Sequence, residues 1–125
     1  MKHWIGRWLI AVSVIHTVFA IAVFGSDLAS IIQRGVFDTV GNDPQANAVV
    51  WFVLFGVILF ICGLAVSALE RSSSQPLPRS LGWSLLALVA LGVILMPASG
   101  FWLVIPPAVA ILLRRPRMQS AAAGA

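Results

Sequence analysis

Residues 48–69 read AVVWFVLFGVILFICGLAVSAL, with no charged side chain and with the hydroxyl of Ser67 as the one strongly polar group. At about 1.5 Å of rise per residue, a helix of about 20 apolar residues spans the roughly 30 Å hydrocarbon core of a bilayer. The stretch therefore predicts a transmembrane helix. The remainder of the chain has to be compatible with lipid, and its composition agrees. Of 125 residues, 60% are hydrophobic and 10% charged, at a mean hydropathy of +1.00. Soluble domains carry about half apolar residues and about a quarter charged ones.

The formal charge of +4 and the pI near 11.3 raise the question of nucleic acid. A phosphate-binding surface needs its basic residues gathered on one folded face, whereas here they flank apolar runs. No nucleic-acid partner is expected. Cys62 is the only cysteine and lies inside the central span, so it forms neither an intrachain disulfide nor a multi-cysteine metal site.

Upstream of the central span, residues 4–25 are apolar behind Lys2, with Arg7 near the start and His16 in the middle. A basic start and the small-x-small run Ala20, Ile21, Ala22 also describe a cleaved signal peptide. Two early tryptophans, the internal Arg and His, and the membrane character of the downstream chain favour a retained first helix. Between the two spans, Ser26 is placed to cap a short helix whose Leu28, Ile31, Ile32 and Val36 share one face, which predicts an interfacial helix on the membrane surface. Gly35 and Gly41 interrupt it. Asp43 and Pro44 then have the cap and first-position chemistry of a helix start.

Downstream, residues 70–79 (ERSSSQPLPR) read as an aqueous connection. Ser80 is placed to cap the next helix. The stretch 96–102 (MPASGFW) forces a choice: either Pro97 kinks one long third helix, or it begins a turn into a fourth. With four helices, Lys2, Arg7, Arg71, Arg79, Arg114, Arg115 and Arg117 share one side and Arg34 stands alone on the other, as the positive-inside tendency requires. The expected fold is an all-α, four-helix transmembrane bundle with helices at about 4–25, 44–69, 80–97 and 100–115. It forms one domain over residues 1–117, with a disordered tail at 118–125. The predicted location is the plasma membrane, with both termini cytoplasmic. The fourth helix is short for a bilayer, so it must snorkel, thin the membrane or span only part of it.

With Gly6, Arg7, Trp8 and Leu9 leading to Ile15, His16 and Thr17, with Trp51 and Phe52 at the start of the central helix, and with the 96–102 stretch, the chain resembles a family of small bacterial integral membrane proteins of unknown function. That resemblance implies four membrane helices and no particular activity. Small multidrug transporters have similar length and four helices but depend on a carboxylate embedded in the first. Here that region holds His16, and Asp27, Asp38, Asp43 and Glu70 all fall in expected connections.

Few residues invite chemistry. His16 is the one ionisable group near the middle of a span, and Ser13 and Thr17, one turn apart, flank it. These three are the candidate ligand-binding residues. The competing reading is a neutral imidazole that joins helices. Haem would require a homodimer supplying two copies of His16, because His3 is on another face and at another depth. No cofactor, no metal and no catalytic residue set is expected, and the chain is not read as an enzyme. Gly56, Gly63 and Ser67 line one side of the central helix as packing positions. Pro106 and Pro107 deprive the carbonyls of Trp102 and Leu103 of their backbone donors, and His16 is expected to supply one. The expected partners are the lipid bilayer and another membrane protein or a second copy of the chain. The alternative function is a carrier or binder of a small quinone-like lipophilic molecule at His16.

Overall fold

The computed structural model of the protein describes residues 3–115. Its four α-helices are, in chain order, α1 (Ile5–Gln33), α2 (Pro44–Ser72), α3 (Arg79–Leu95) and α4 (Ile105–Leu113), with a 3-10 turn (Gly100–Val104) leading into α4. The described residues contain no strand. The expected tail at 118–125, together with Lys2 and Arg117, lies outside them.

α1 takes in the segment expected to be a separate interfacial helix. Its single break is Phe24 (φ −109°, ψ 20°), after which the helix resumes and runs to Gln33, so Ser26 caps nothing. Burial explains the continuity: Ile31 on α1 and Ala46 and Val49 on α2 are all covered, so the helices keep packing beyond the kink. α1 ends where a backbone of positive φ is available. Gly35 (φ 95°) lets the amide of Val36 reach the carbonyl of Ile31 and its own amide reach that of Ile32, a Schellman closure.

α2 begins as its sequence dictates, with Asp43 Oδ1 accepting from the amides of Gln45 and Ala46, both at 3.1 Å, and Pro44 at the first helical position. It continues past residue 69 to Ser72, carrying Glu70 and Arg71 out of the connection expected to hold them. α3 starts at Arg79 behind Pro78, not at a Ser80 cap. The hydroxyl of Ser80 is not used there, and its carbonyl accepts from Ser84 Oγ at 2.8 Å. Pro97 does not kink a longer helix. α3 stops at Leu95, Met96 leaves helical geometry as residues before proline do, and Trp102 Nε1 donates to the Pro97 carbonyl at 2.9 Å across the turn.

The helices form two antiparallel pairs. Along α1 and α2, Gly6 faces Ser67, Ile10 faces Gly63 and Thr17 faces Gly56; along α3 and α4, Gly82 faces Ala108 and Leu112, and Gly92 faces the ring of Phe101. The pairs meet where α1 packs against α4 and the 3-10 turn. Ile5, Leu9 and Val12 of α1 share that core with Leu59, Val66, Leu77, Val89, Val104 and Ile111. The starts of α1 and α3 and the ends of α2 and α4 therefore gather at one end of the molecule.

The exterior is apolar. Only 22% of the most hydrophobic 18 residues of α1, and 28% of those of α2, are buried, which is not how the core helix of a soluble protein behaves. Both helices are long and apolar enough to cross a membrane. α3 has 17 residues, and the 3-10 turn with α4 reaches about 23 Å, the short fourth element expected.

Among the glycines, Gly6 makes the closest approach to another backbone, where an added Cβ would collide with Ser67. Gly6→Ala should therefore destabilise the α1–α2 pair by about 1–3 kcal/mol. Gly25→Ala, with open space around it, should be neutral or mildly stabilising. Unfolding transitions of the two variants in the same detergent check the contrast.

Candidate functional site

The most consequential polar group is Glu70, which was expected in water. It sits in the last turn of α2 with its side chain 1% exposed. Oε2 accepts from the backbone amide of Gly6 at 2.9 Å, and Oε1 accepts from Arg114 Nη1 at 2.8 Å. Gly6 is the second residue of α1, whose first amides have no intrahelical acceptor and whose N-cap residue, Trp4, supplies no side-chain cap. Glu70 caps α1 from another helix and also sits at the positive end of its dipole. The adjacent Arg71 turns back along its own helix, donating to the Ser67 carbonyl at 3.2 Å and to Ser67 Oγ at 3.1 Å.

A second tie crosses from α1 to the 3-10 turn. Pro107 has no N–H, so the Leu103 carbonyl lacks its α-helical donor. Trp8 Nε1 donates to it at 2.7 Å. His16 was expected in this role and does not fill it. It lies about two turns further along α1 and bonds to the Phe52 carbonyl of α2. The Trp102 carbonyl, orphaned by Pro106, accepts instead from the Ile105 amide in 3-10 fashion.

His16 turns to α2. Nε2 is 2.9 Å from the Phe52 carbonyl, which can only accept, so Nε2 carries a proton and, in the neutral ring, Nδ1 carries the lone pair. The imidazole stacks on Phe52 (centroids 4.2 Å apart, 22° between planes) and meets the edge of Phe55 at 5.5 Å. One turn along α2, the Gly56 carbonyl accepts from Ser13 Oγ at 2.7 Å, and Thr17 Oγ1 donates back to the Ser13 carbonyl at 3.0 Å. The structure thus brings Ser13, His16 and Thr17 together over Gly56. A Cβ there would come within 2.8 Å of Thr17 Oγ1 and 3.0 Å of His16 Cδ2. Gly63 lies against Ile10 and the Gly6 carbonyl, and Ser67 against Gly6. An open groove of about 240 Å³ runs along this seam between Val14 and Val18 of α1 and Val57 and Phe60 of α2. Pro107 is buried and Pro106 exposed.

Chemically this is an adhesive surface. The hydroxyls of Ser13 and Thr17 each donate to a helix carbonyl, and no group of three or more His, Cys, Asp or Glu side chains among the described residues could hold a metal ion. Sequence reading missed Glu70 and Trp8. The signal for Glu70 was its place directly after an unbroken apolar helix. The signal for Trp8 was a donor on the first helix at the level of Leu103.

Two consequences are measurable. Trp8→Phe should cost about 1 kcal/mol, and less in a Pro107→Ala background, where residue 107 regains an amide for the Leu103 carbonyl; a double-mutant cycle of unfolding free energies reads the difference. Glu70→Met should cost about 3 kcal/mol or more because it breaks the buried pair with Arg114 and leaves the Gly6 amide without its acceptor. Adding Arg114→Met should recover part of that loss in the same assay.

No curated protein and no solved structure matches the chain. One protein-family profile does, over residues 1–118, and its description is a family of unknown function, DUF6463. That match covers the seam, the Glu70 clamp and the proline-bearing fourth helix alike, and the chain belongs to this family of unknown function.

Proposed function

We propose that the protein is a small integral protein of the bacterial plasma membrane that crosses the bilayer four times as a helix bundle, with both termini cytoplasmic. It acts without catalysing a reaction, as an interaction partner or accessory subunit of another membrane protein. The observation that carries this reading is the inverted distribution of polarity. Large apolar side chains such as Ile15, Val18, Phe19, Ile58, Ile61 and Ile94 face outward, while Ser13, Ser67 and Glu70 are buried between helices. Lipid is the surrounding in which that arrangement has low free energy.

Charge supports the orientation. Arg7, Arg71, Arg79, Arg114 and Arg115 lie at the end where α1 starts and α4 finishes, and Arg34 is at the other, paired with Asp43 at 3.8 Å. Trp51 and Trp83, near the starts of α2 and α3, are exposed, which supports an interfacial position for these amphipathic rings. The buried bonds also favour a retained α1. Cleaving it as a leader would leave Glu70 and the carbonyls of Phe52, Gly56 and Leu103 without the donors α1 provides. The accessory role draws support from the seam, where the hydroxyls are used for helix adhesion.

Single cysteines in a Cys62→Ala background test the topology. A cysteine at Asn42 should react with an impermeant thiol reagent added outside intact cells, and one at Ser74 only after lysis. An amino-terminal epitope should remain on the full-length membrane protein. Outside labelling at Ser74 would overturn the cytoplasmic placement of the termini.

A further inference from the structure

Ile5, Leu9, Val12, His16, Phe19 and Val23 follow one another along one face of α1 at spacings of alternately four and three, and the first three belong to the core shared with Ile111 of α4. Ile5, Leu9 and Val12 are buried (0%, 1% and 7% exposed), whereas Phe19 and Val23 are 55% and 52% exposed. The α3–α4 pair covers the first half of this face and not the second. His16 stands at the step between them.

Its surroundings there are aromatic. Phe52 and Phe55 flank the imidazole, Phe24 and Phe19 adjoin Phe52 at 5.4 and 6.3 Å, and Phe101, on the 3-10 turn, adjoins Phe55 at 6.2 Å. Because Nε2 is committed to the Phe52 carbonyl, Nδ1 presents an acceptor lone pair. Nδ1 makes no hydrogen bond among the described residues, and it is not sealed off. The one fully buried side-chain N or O atom left without a partner among them is Ser99 Oγ. An accessible acceptor within an apolar span is unfavourable until a donor reaches it.

We propose that this step is a binding site for a lipophilic molecule with a phenolic hydroxyl, whose O–H donates to His16 Nδ1 and whose ring packs against Phe52, Phe55 and Phe101. The proposal rests on the membrane reading and deepens it at one site. Each part of the ligand answers an observation. The lone pair requires a donor, the phenylalanine edges and faces favour an aromatic ring in offset or edge-on packing, and His16 has no salt bridge with a charged side chain among the described residues, which favours a neutral molecule. A second copy of the chain, docked symmetrically at this step, would bring two Nδ1 lone pairs together and supply no donor.

The test uses the full chain in nanodiscs with His3→Gln, which leaves His16 as the only imidazole. Nitrogen-15 NMR of labelled histidine should first show the proton on Nε2 and a free Nδ1. Titration with a decyl-substituted hydroquinone should then shift the Nδ1 resonance saturably. The dimethyl ether of the same probe, which lacks the donor, should bind at least about tenfold more weakly, as should the hydroquinone to His16→Phe. Cys62→Ala should leave the affinity unchanged. Equal affinities for hydroquinone and ether, a proton on Nδ1 before ligand is added, or a shift that never saturates would each overturn the proposal. The NMR arms use unsubstituted His16, so they decide the matter even where His16→Phe fails to fold. Failure of the membrane reading registers separately, as protein that stays soluble without detergent.

Discussion

A carboxylate held away from water must be given donors, and the structure gives Glu70 two from different helices: the Gly6 amide at the start of α1 and the Arg114 guanidinium beyond α4. Three helix ends are tied by one side chain. The tie depends on Gly6 twice over. Its amide is one of the first in α1 and therefore lacks an intrahelical acceptor, and its missing Cβ lets α1 lie against the Ser67 backbone, close enough for Glu70, three residues on, to reach that amide. A larger residue would push the helices apart and leave the carboxylate buried with half its partners. The close approach and the electrostatics are thus one constraint.

From this end, α1 serves as the donor strip of the molecule. In order along the helix it offers the Gly6 amide to Glu70, Trp8 Nε1 to the Leu103 carbonyl, Ser13 Oγ to Gly56 and His16 Nε2 to Phe52. α2 and the 3-10 turn supply the acceptors. Where helices are surrounded by hydrocarbon, apolar burial discriminates little between bound and separated helices, and association rests on close packing and interhelical hydrogen bonds. On the membrane reading proposed above, that is the division of labour here. Gly56 and Gly63 allow contact, and the donors of α1 fix register and rotation within it.

What the sequence made legible was local. The uncharged run at 48–69 locates α2, the Asp43–Pro44 pair starts it through two amide bonds, and Pro97 ends α3 because the residue before a proline leaves helical geometry. What stayed hidden depended on partners distant in sequence. Glu70, with serines and prolines after it, looked like the start of a linker, because nothing near it reveals an unsatisfied amide 64 residues earlier. The need of Leu103 for a donor was readable from Pro107, but the choice between Trp8 and His16 turned on relative depth, which depends on how far the α3–α4 pair is displaced along α1. Ser26 and Ser80 have cap chemistry and cap nothing, since burial of Ile31 carries α1 through the first position and Pro78 already starts α3 before the second.

That displacement divides the molecule into two regimes. α1 and α2 have 29 residues each, about 43 Å, against 17 for α3, and the ties between the pairs, Glu70 to Arg114 and Trp8 to Leu103, lie in the half nearer the start of α1. There α1 is held between α2 and α4, and a buried charge ties the three helix ends. In the other half α1 and α2 have only each other, and beyond the kink at Phe24 their polar ties reduce to caps and the half-exposed Arg34–Asp43 pair, worth a few tenths of a kcal/mol to about 1. Local stability should fall along the molecule in that direction. His16 lies where the two regimes meet, its Nε2 bonded into the α1–α2 seam and its ring at the rim of the core formed with α4, so anything that fills the step beside it acts on the point where three-helix packing gives way to two.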